Sequence, residues 1–193
     1  MYSFNFIETM KKIFIITYIF FFLIPFTIYS QNIFVDANTS SSSQNGSFSN
    51  PYIQINSAIE FANLNNIDTI FIAQGNYTNS YDGLGNQNMN LNSSDIVIYG
   101  ENPIHTIIQL GGGVKFLEIT GNNIQIENIQ IAGNSGANYA GAIHLNSHSN
   151  LDSTYVKIKN SFFKNLINDE IIGIGNGGGA INAQNSSGKG IVL

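Results

Sequence analysis

The 193-residue chain contains no cysteine, no tryptophan and no arginine, and only three of its residues are proline. The missing cysteine excludes a disulfide framework, so an extracellular domain of this chain must be held by packing and hydrogen bonds alone. Charged residues make up only 10 %, and the formal net charge is −5. A nucleic acid would be repelled, and no basic patch argues otherwise, so we expect no nucleic-acid binding.

A targeting signal is predicted at the amino terminus. Lys11 and Lys12 precede an uncharged apolar run over residues 13–28, and the small residue Ser30 follows. A basic start, an apolar middle and a small residue before the cleaved bond are typical of a secretory signal. We therefore predict a secreted or cell-surface protein, with cleavage at Ser30 and Gln31.

This signal divides the chain into two parts. We predict a signal peptide over 1–30, with Met10 as an alternative start, and one domain over 31–193. An uncleaved segment would instead anchor the protein to a membrane. Against that alternative, the apolar run is shorter than the roughly 20 residues that a spanning helix needs, and Pro25 interrupts it.

One helix is predicted in the domain, over residues 55–66, where apolar residues recur every three or four positions. These residues are Ile55, Ala58, Ile59, Phe61 and Ala62. Asn56 or Ser57 is expected to cap the start, because Glu60 follows Ser57 at the spacing of a capping box.

The remaining apolar pattern has a period of two, which indicates short strands. The alternating isoleucines include Ile70 and Ile72, Ile96 and Ile98, and a longer series through Ile124, Ile126, Ile129 and Ile131. The longer series slips by one residue at Glu127 and Asn128. No helix separates the strands, which excludes a doubly wound α/β fold.

A repeated sequence motif distinguishes a parallel β-helix from a β-sandwich. Tyr-Ala-Gly-Ala-Ile over 139–143 returns as Gly-Gly-Gly-Ala-Ile over 177–181. In a β-helix, equivalent positions of successive coils stack on one another, which favours the same residue type at each of them. A β-sandwich has no such stacking and does not favour a repeated motif. We therefore predict an all-β fold, a parallel β-helix, with Ile143 and Ile181 pointing inward and asparagines at the corners.

The segment 32–78 resembles the amino-terminal cap of pectin-lyase-like right-handed parallel β-helix proteins. A strand, a loop from Gly46 to Pro51, a helix, a second strand and a Gly-x-Tyr ending at Tyr77 stand in the order of that family. One departure is Gln54, where the family usually has threonine. The resemblance implies a single-stranded right-handed β-helix with a short amino-terminal capping α-helix.

A second set of residues resembles the repeats of the chlamydial polymorphic outer membrane proteins, in which Gly-Gly-Ala-Ile is paired with Phe-x-x-Asn. Full matches stand at 178–181 and 162–165, and near matches at 140–143 and 131–134. The residues of this structural repeat are Ile131, Asn134, Gly141, Ala142, Ile143, Phe162, Asn165, Gly178, Gly179, Ala180 and Ile181. In that family such repeats form a surface β-helix linked to adhesion. The resemblance therefore implies a surface role in adhesion, and we predict a non-catalytic protein that binds extracellular glycans or cell surfaces.

The alternative function is a polysaccharide lyase or hydrolase of the same fold, whose active residues lie beyond this chain. It stays open because the sequence stops in mid-strand at Leu193, which indicates a fragment of a longer β-helix. A lyase needs a basic residue and clustered carboxylates for Ca²⁺, whereas the acids here are scattered. They are Asp68, Asp82, Asp95, Glu118, Glu127 and Asp152, with one adjacent pair at Asp169 and Glu170.

Two further patterns are expected to hold no metal and no cofactor. His144, His148 and Asp152 are spaced by four residues, which would bring them together on a helix, but the segment has the pattern of strand and loop. The Gly-x-Gly-x-x-Gly pattern over 173–178 lacks the following helix that a dinucleotide site needs. We therefore predict no catalytic, cofactor-binding or metal residues.

Five asparagines stand in Asn-x-Ser/Thr sequences, which accept glycans in a eukaryotic secretory pathway when they face solvent. They are Asn38, Asn45, Asn76, Asn92 and Asn185.

Overall fold

The computed structural model describes residues 10–12, 14, 31–78, 85–111, 114–133, 142–147, 154–166, 180–185 and 191–192. Residues 10–12 and 14 are helical, and the other regular structure is one helix, α1 (Ile55–Leu64), with strands β1 to β14. Within these described ranges, no helix has the length and apolar character that crossing a membrane requires. The fold is mostly β, as the period-two pattern predicts.

The strands, numbered along the chain, form three sheets. Sheet A contains β1 (Asn32–Val35), β2 (Thr69–Ile72), β5 (Val97–Gly100), β8 (Ile124–Glu127), β11 (Thr154–Lys159) and β14 (Ile191–Val192). Sheet B contains β3 (Gly75–Tyr77), β6 (Thr106–Gln109), β9 (Gln130–Ala132) and β12 (Phe162–Lys164). Sheet C contains β4 (Met89–Leu91), β7 (Leu117–Ile119), β10 (Ile143–Ser147) and β13 (Ile181–Asn185).

From β2 onward the chain visits sheets A, B and C in that order four times and then returns to sheet A with β14. Each strand therefore pairs with the strand three places away in sequence, and β1 pairs with β2. All of these pairs are parallel. Equivalent positions on successive circuits of the chain consequently lie side by side.

The interior is built from aliphatic residues that stack from strand to strand. Ile70, Ile98 and Ile126 lie on one register line of sheet A, and each is fully buried. In sheet C, Ile143 lies between Leu117 and Ile181. The repeated sequence motif predicts its pairing with Ile181. Side chains of a strand alternate between its two faces, so a period of two directs one aliphatic face inward.

Asparagines turn the chain at one end of the strands of sheet A. Asn128 follows β8 and Asn160 follows β11, with φ angles of 57° and 50°. This left-handed region is one that asparagine tolerates better than most residues. The expected asparagine corners are thus present, and the slip at Glu127 and Asn128 is one of them.

Two glycines are required by the close approach of a neighbouring circuit. A Cβ on Gly100 would lie 2.1 Å from the carbonyl oxygen of Asn128. A Cβ on Gly121 would lie 1.8 Å from the carbonyl oxygen of Ser93. Any side chain at either position would therefore push two circuits of the backbone apart.

Helix α1 packs against β1, β2 and β4 through the apolar face that the sequence predicts. The predicted capping box is wrong. The helix begins at Ile55, which places Asn56 and Ser57 inside it, and the Asn56 side chain bonds to Glu60 at 2.8 Å. The first N–H of the helix, on Ile55, instead donates to Oδ1 of Asn86 at 2.8 Å, and Asn86 is buried. A side chain from the next circuit therefore satisfies the helix start.

Tyr77 explains the Gly-x-Tyr sequence at the end of β3. Its side chain is buried, and its hydroxyl donates to the carbonyl oxygen of Ala73 at 2.9 Å. The same hydroxyl accepts from the N–H of Ala37 at 3.4 Å and lies 3.3 Å from the carbonyl oxygen of Val35. One side chain thus joins the segment after β1 to the segment after β2.

The register differs by one residue from the alignment of the Phe-x-x-Asn repeats. That alignment equates Phe162 with Ile131, whereas the structure pairs Ile131 with Phe163. Phe162 faces outward and is 44 % exposed, while Ile131 is buried. Asn165 still turns the chain, with a φ angle of 54°. The repeat residues Asn134, Gly141, Gly178 and Gly179 lie outside the described residues.

Candidate binding surfaces

Four polar residues share one register line on sheet C. They are Asn90, Glu118, His144 and Asn182. In β10 the residues on both sides of His144, namely Ile143 and Leu145, are buried, so this line belongs to the outer face of the sheet. We term these four residues the polar row.

Glu118 is the charged centre of the polar row. Lys115 Nζ forms a short ion pair with Glu118 Oε2, and Asn146 Nδ2 donates to Glu118 Oε1 at 3.2 Å. The hydrogen bond from Lys115 is the main reason that the pKa of Glu118 lies below its ordinary value of 4.5; partial burial opposes this, and the bond from Asn146 adds to it. Glu118 is therefore ionised at neutral pH, where it accepts hydrogen bonds and does not supply a proton.

Asn182 lies at the end of the polar row that is formed by β13. It is 7 % exposed, and within the described part of the chain its Nδ2 has no hydrogen-bond acceptor. A buried donor without a partner costs about 1–3 kcal/mol.

A second outward line, on sheet A, is aromatic. Phe34, Phe71 and Tyr99 are in register, with ring centroids 5.7 Å and 5.8 Å apart. Phe48 packs edge-on against Phe34 at 5.3 Å and is 80 % exposed. We term Phe34, Phe48, Phe71 and Tyr99 the aromatic row.

The described acids each have their own partner. Asp68 accepts from the backbone N–H of Gln31 at 3.1 Å. Asp95 accepts from Asn123 Nδ2 at 2.7 Å, and Glu127 pairs with Lys159 at 2.5 Å. The remaining candidate acids, Asp82, Asp152, Asp169 and Glu170, lie outside the described residues.

The sequence patterns weighed for metal and cofactor binding fall mostly outside the described residues. His144 is part of β10, whereas His148, Asp152 and the glycine-rich segment 173–178 are not described. Among the residues that are described, no three His, Asp or Glu side chains form a group that could hold a metal ion.

The predicted signal and its cleavage site also lie largely outside the described part of the chain. Ser30 is not described, whereas Gln31 is exposed and directly precedes β1. Four of the Asn-x-Ser/Thr asparagines are exposed, which is the condition that glycosylation sets. They are Asn38, Asn45, Asn76 and Asn92. Asn185 is the last residue of β13, and its side chain is not described.

Sequence reasoning missed the aromatic row, although a signal for it exists. β1, β2 and β5 read Asn-Ile-Phe-Val, Thr-Ile-Phe-Ile and Val-Ile-Tyr-Gly, so an aromatic residue stands at the same place in each strand. No comparable signal marks Asn86, because its partner Ile55 is 31 residues away and on a different kind of element.

No protein-family model, no curated protein and no solved structure matches this chain.

Proposed function

We propose that the chain is a right-handed parallel β-helix and serves as a secreted or cell-surface, non-catalytic protein that binds extracellular glycans or cell surfaces. The cyclic order of the three parallel sheets supports the coil. Nearly all parallel crossover connections take the right hand, which supports the handedness. The resemblance to the pectin-lyase-like cap and to the polymorphic outer membrane protein repeats points to the same fold.

The observation that carries the binding role is the pair of outward rows. Each row crosses consecutive strands about 4.8 Å apart, so it suits an extended ligand better than a compact one. The polar row presents Asn90, Glu118 and His144, which are groups that hydrogen-bond hydroxyls. Because Glu118 is ionised and paired with Lys115, it can accept hydrogen bonds from the hydroxyl groups of a ligand.

Glycan binding is tested by incubating the purified full-length protein with a glycan array and with intact cells. We expect saturable binding that persists in the presence of EDTA, because binding through the two rows needs no metal. Absence of binding to every glycan and to every cell type would refute the proposal.

Secretion is tested separately. Gln31 lies just before β1, so cleavage between Ser30 and Gln31 would leave the first strand intact. Amino-terminal sequencing of exported protein should begin at or near Gln31. Recovery of exported chains that retain residues preceding Ile13 would show that the segment is not cleaved.

The rival function, a polysaccharide lyase or hydrolase, is favoured by one observation. Lys115, Glu118 and His144 lie together on the outer side of sheet C. The matching test is release of unsaturated or reducing products from pectin-like acidic polymers. Turnover that disappears in Glu118→Gln would establish the rival and overturn the non-catalytic role.

A further inference from the structure

In the three strands that carry Phe34, Phe71 and Tyr99, the outward side chains are uncharged. The outward residues of β1, β2 and β5 are Asn32, Phe34, Thr69, Phe71, Val97 and Tyr99. Among the described residues, acidic side chains flank these strands at Asp36, Asp68 and Glu101, and the following strands of the sheet carry an ion pair between Glu127 and Lys159. Covering this ion pair would require its desolvation, so the apolar surface is bounded at Tyr99.

The rings of the row are accessible from the outside. Phe34, Phe71 and Tyr99 are each partly exposed. The ring planes of Phe34 and Phe71 are inclined by 50°, whereas Phe71 and Tyr99 are stacked at 25° and present mainly their ring edges to the outside. Phe48 stands nearly perpendicular to Phe34, at 84°, and is mostly exposed. A contiguous exposed aromatic surface with polar neighbours is typical of an interaction site.

We propose that the aromatic row binds an extended, uncharged polysaccharide that runs across the strands of sheet A. This inference rests on the proposed glycan-binding function and names its site and ligand class. A sugar ring has apolar C–H faces and a rim of hydroxyls. It therefore fits an aromatic ring that has polar neighbours, as Phe34 has Asn32 and Phe71 has Thr69, two residues earlier on the same strands.

The spacing of the row favours a polymer over a single sugar. The successive centroid distances of 5.3 Å, 5.7 Å and 5.8 Å are comparable to the length of one sugar unit in an extended chain. Each ring of the row would therefore contact about one unit, and a longer oligosaccharide would gain contacts ring by ring until it passed Tyr99.

The charge of the protein surface around the aromatic row favours an uncharged polymer over an acidic one. Among the described outward residues of β1, β2 and β5 there is no cation, and the chain as a whole carries a net charge of −5. A polyanion would meet repulsion and find no compensating contact along the row. An uncharged polysaccharide has no such penalty.

The test is isothermal titration of the full-length protein with neutral glucose and mannose oligosaccharides of increasing length. Affinity should rise with length and then level off once the row is covered. Phe71→Leu and Tyr99→Leu keep an apolar side chain on the sheet but remove the ring, and each should weaken binding about tenfold. Tyr99→Phe should bind as the wild type does.

The matched control is Phe162→Leu, because Phe162 is an exposed aromatic residue on sheet B, outside the row. Its binding should equal that of the wild type. If Phe71→Leu fails to fold, Phe48→Leu serves instead, since Phe48 is mostly exposed and its loss leaves the core unchanged. Phe48→Leu should likewise weaken binding, and unchanged affinity would count against the inference.

The outcomes separate this inference from the proposed function. Glycan binding that is insensitive to Phe71→Leu and Tyr99→Leu overturns the aromatic row as the site but leaves the function standing. Binding only to acidic polymers overturns the ligand class. Self-association that is abolished by Phe71→Leu, without sugar binding, shows instead that the row contacts a second copy. Absence of wild-type binding both to glycans and to cells defeats the proposed function as well.

Discussion

The side-chain amide of Asn160 donates a hydrogen bond of 3.0 Å to the side-chain oxygen of Asn128. Both residues have φ angles in the left-handed region, and both turn the chain at the same corner of neighbouring strands. Each asparagine thus meets two requirements at once. It accepts a backbone conformation that few residues tolerate, and it ties one circuit of the chain to the next.

Replacing Asn160 tests this double role. Asn160→Ala should lower the free energy of unfolding by about 2 kcal/mol, because it loses the hydrogen bond and strains the positive φ. Asn160→Gly should cost less, since glycine accepts that φ and loses only the hydrogen bond. Urea denaturation of both variants measures the difference. An Asn160→Ala variant as stable as the wild type would show that the corner contributes nothing.

Removing the hydroxyl of Tyr77 should loosen the first circuits. Tyr77→Phe leaves the partly buried carbonyl of Ala73 and the N–H of Ala37 without this partner, which should cost about 1–2 kcal/mol in thermal or urea unfolding. Tyr155→Phe is the control, because Tyr155 is exposed, and it should unfold like the wild type. Equal stability of the two variants would contradict the structural role of the Tyr77 hydroxyl.

Gly121 should not tolerate a side chain. Gly121→Ala places a methyl group against the carbonyl of Ser93 and should destabilise the fold by about 3 kcal/mol, at the upper end of the range for overpacking. Gly75→Ala is the matched control, because the nearest atom to its new Cβ is the side-chain nitrogen of Asn38 at 3.3 Å. The control should change the stability by less than about 1 kcal/mol. Similar unfolding curves for the two variants would contradict the close stacking of circuits.

The ion pair between Glu118 and Lys115 should make stability depend on pH in one direction. The pKa of Glu118 is lowered in the folded protein, so the unfolded chain binds the proton more readily. The contribution is therefore complete above the ordinary carboxyl value of 4.5 and is lost as the pH falls through the lower folded value. The stability difference between wild type and Glu118→Gln, measured by urea denaturation from neutral to acid pH, should shrink. A difference that stays constant would contradict the assignment.

The aliphatic core could be predicted from sequence because the inward positions of a strand recur every second residue and repeat from circuit to circuit. This recurrence predicts the core positions Ile70, Ile98 and Ile126, and it also predicts the pairing of Ile143 with Ile181. Such positions are set by burial alone, which a sequence pattern reports directly.

Features that depend on a partner from another circuit could not be predicted. The cap that Asn86 provides for Ile55 replaces the local capping box, because the tertiary contact places an acceptor at the helix start. The repeat alignment matches Phe162 with Ile131, one residue away from the observed partner Phe163. The sequence pattern does not show which of these two adjacent phenylalanines faces the core. The candidate binding surfaces could not be predicted for the same reason, because the polar row and the aromatic row form only when strands from different circuits pair in a particular register.

The stacking of inward positions across circuits is the central claim, and Ile143→Asp tests it most directly. Ile143 is fully buried between Leu117 and Ile181, so an aspartate there places an unpaired carboxylate in the core. That should cost several kcal/mol of a domain stability that is typically about 5–15 kcal/mol.

In urea denaturation, Ile143→Asp should be unfolded or nearly so, and Ile181→Asp should be affected less because Ile181 is only partly buried. Lys164→Ala, at an exposed position, should remain within about 0.5 kcal/mol of the wild type. An Ile143→Asp variant that unfolds at the same urea concentration as Lys164→Ala would contradict the stacked core and, with it, the proposed β-helix.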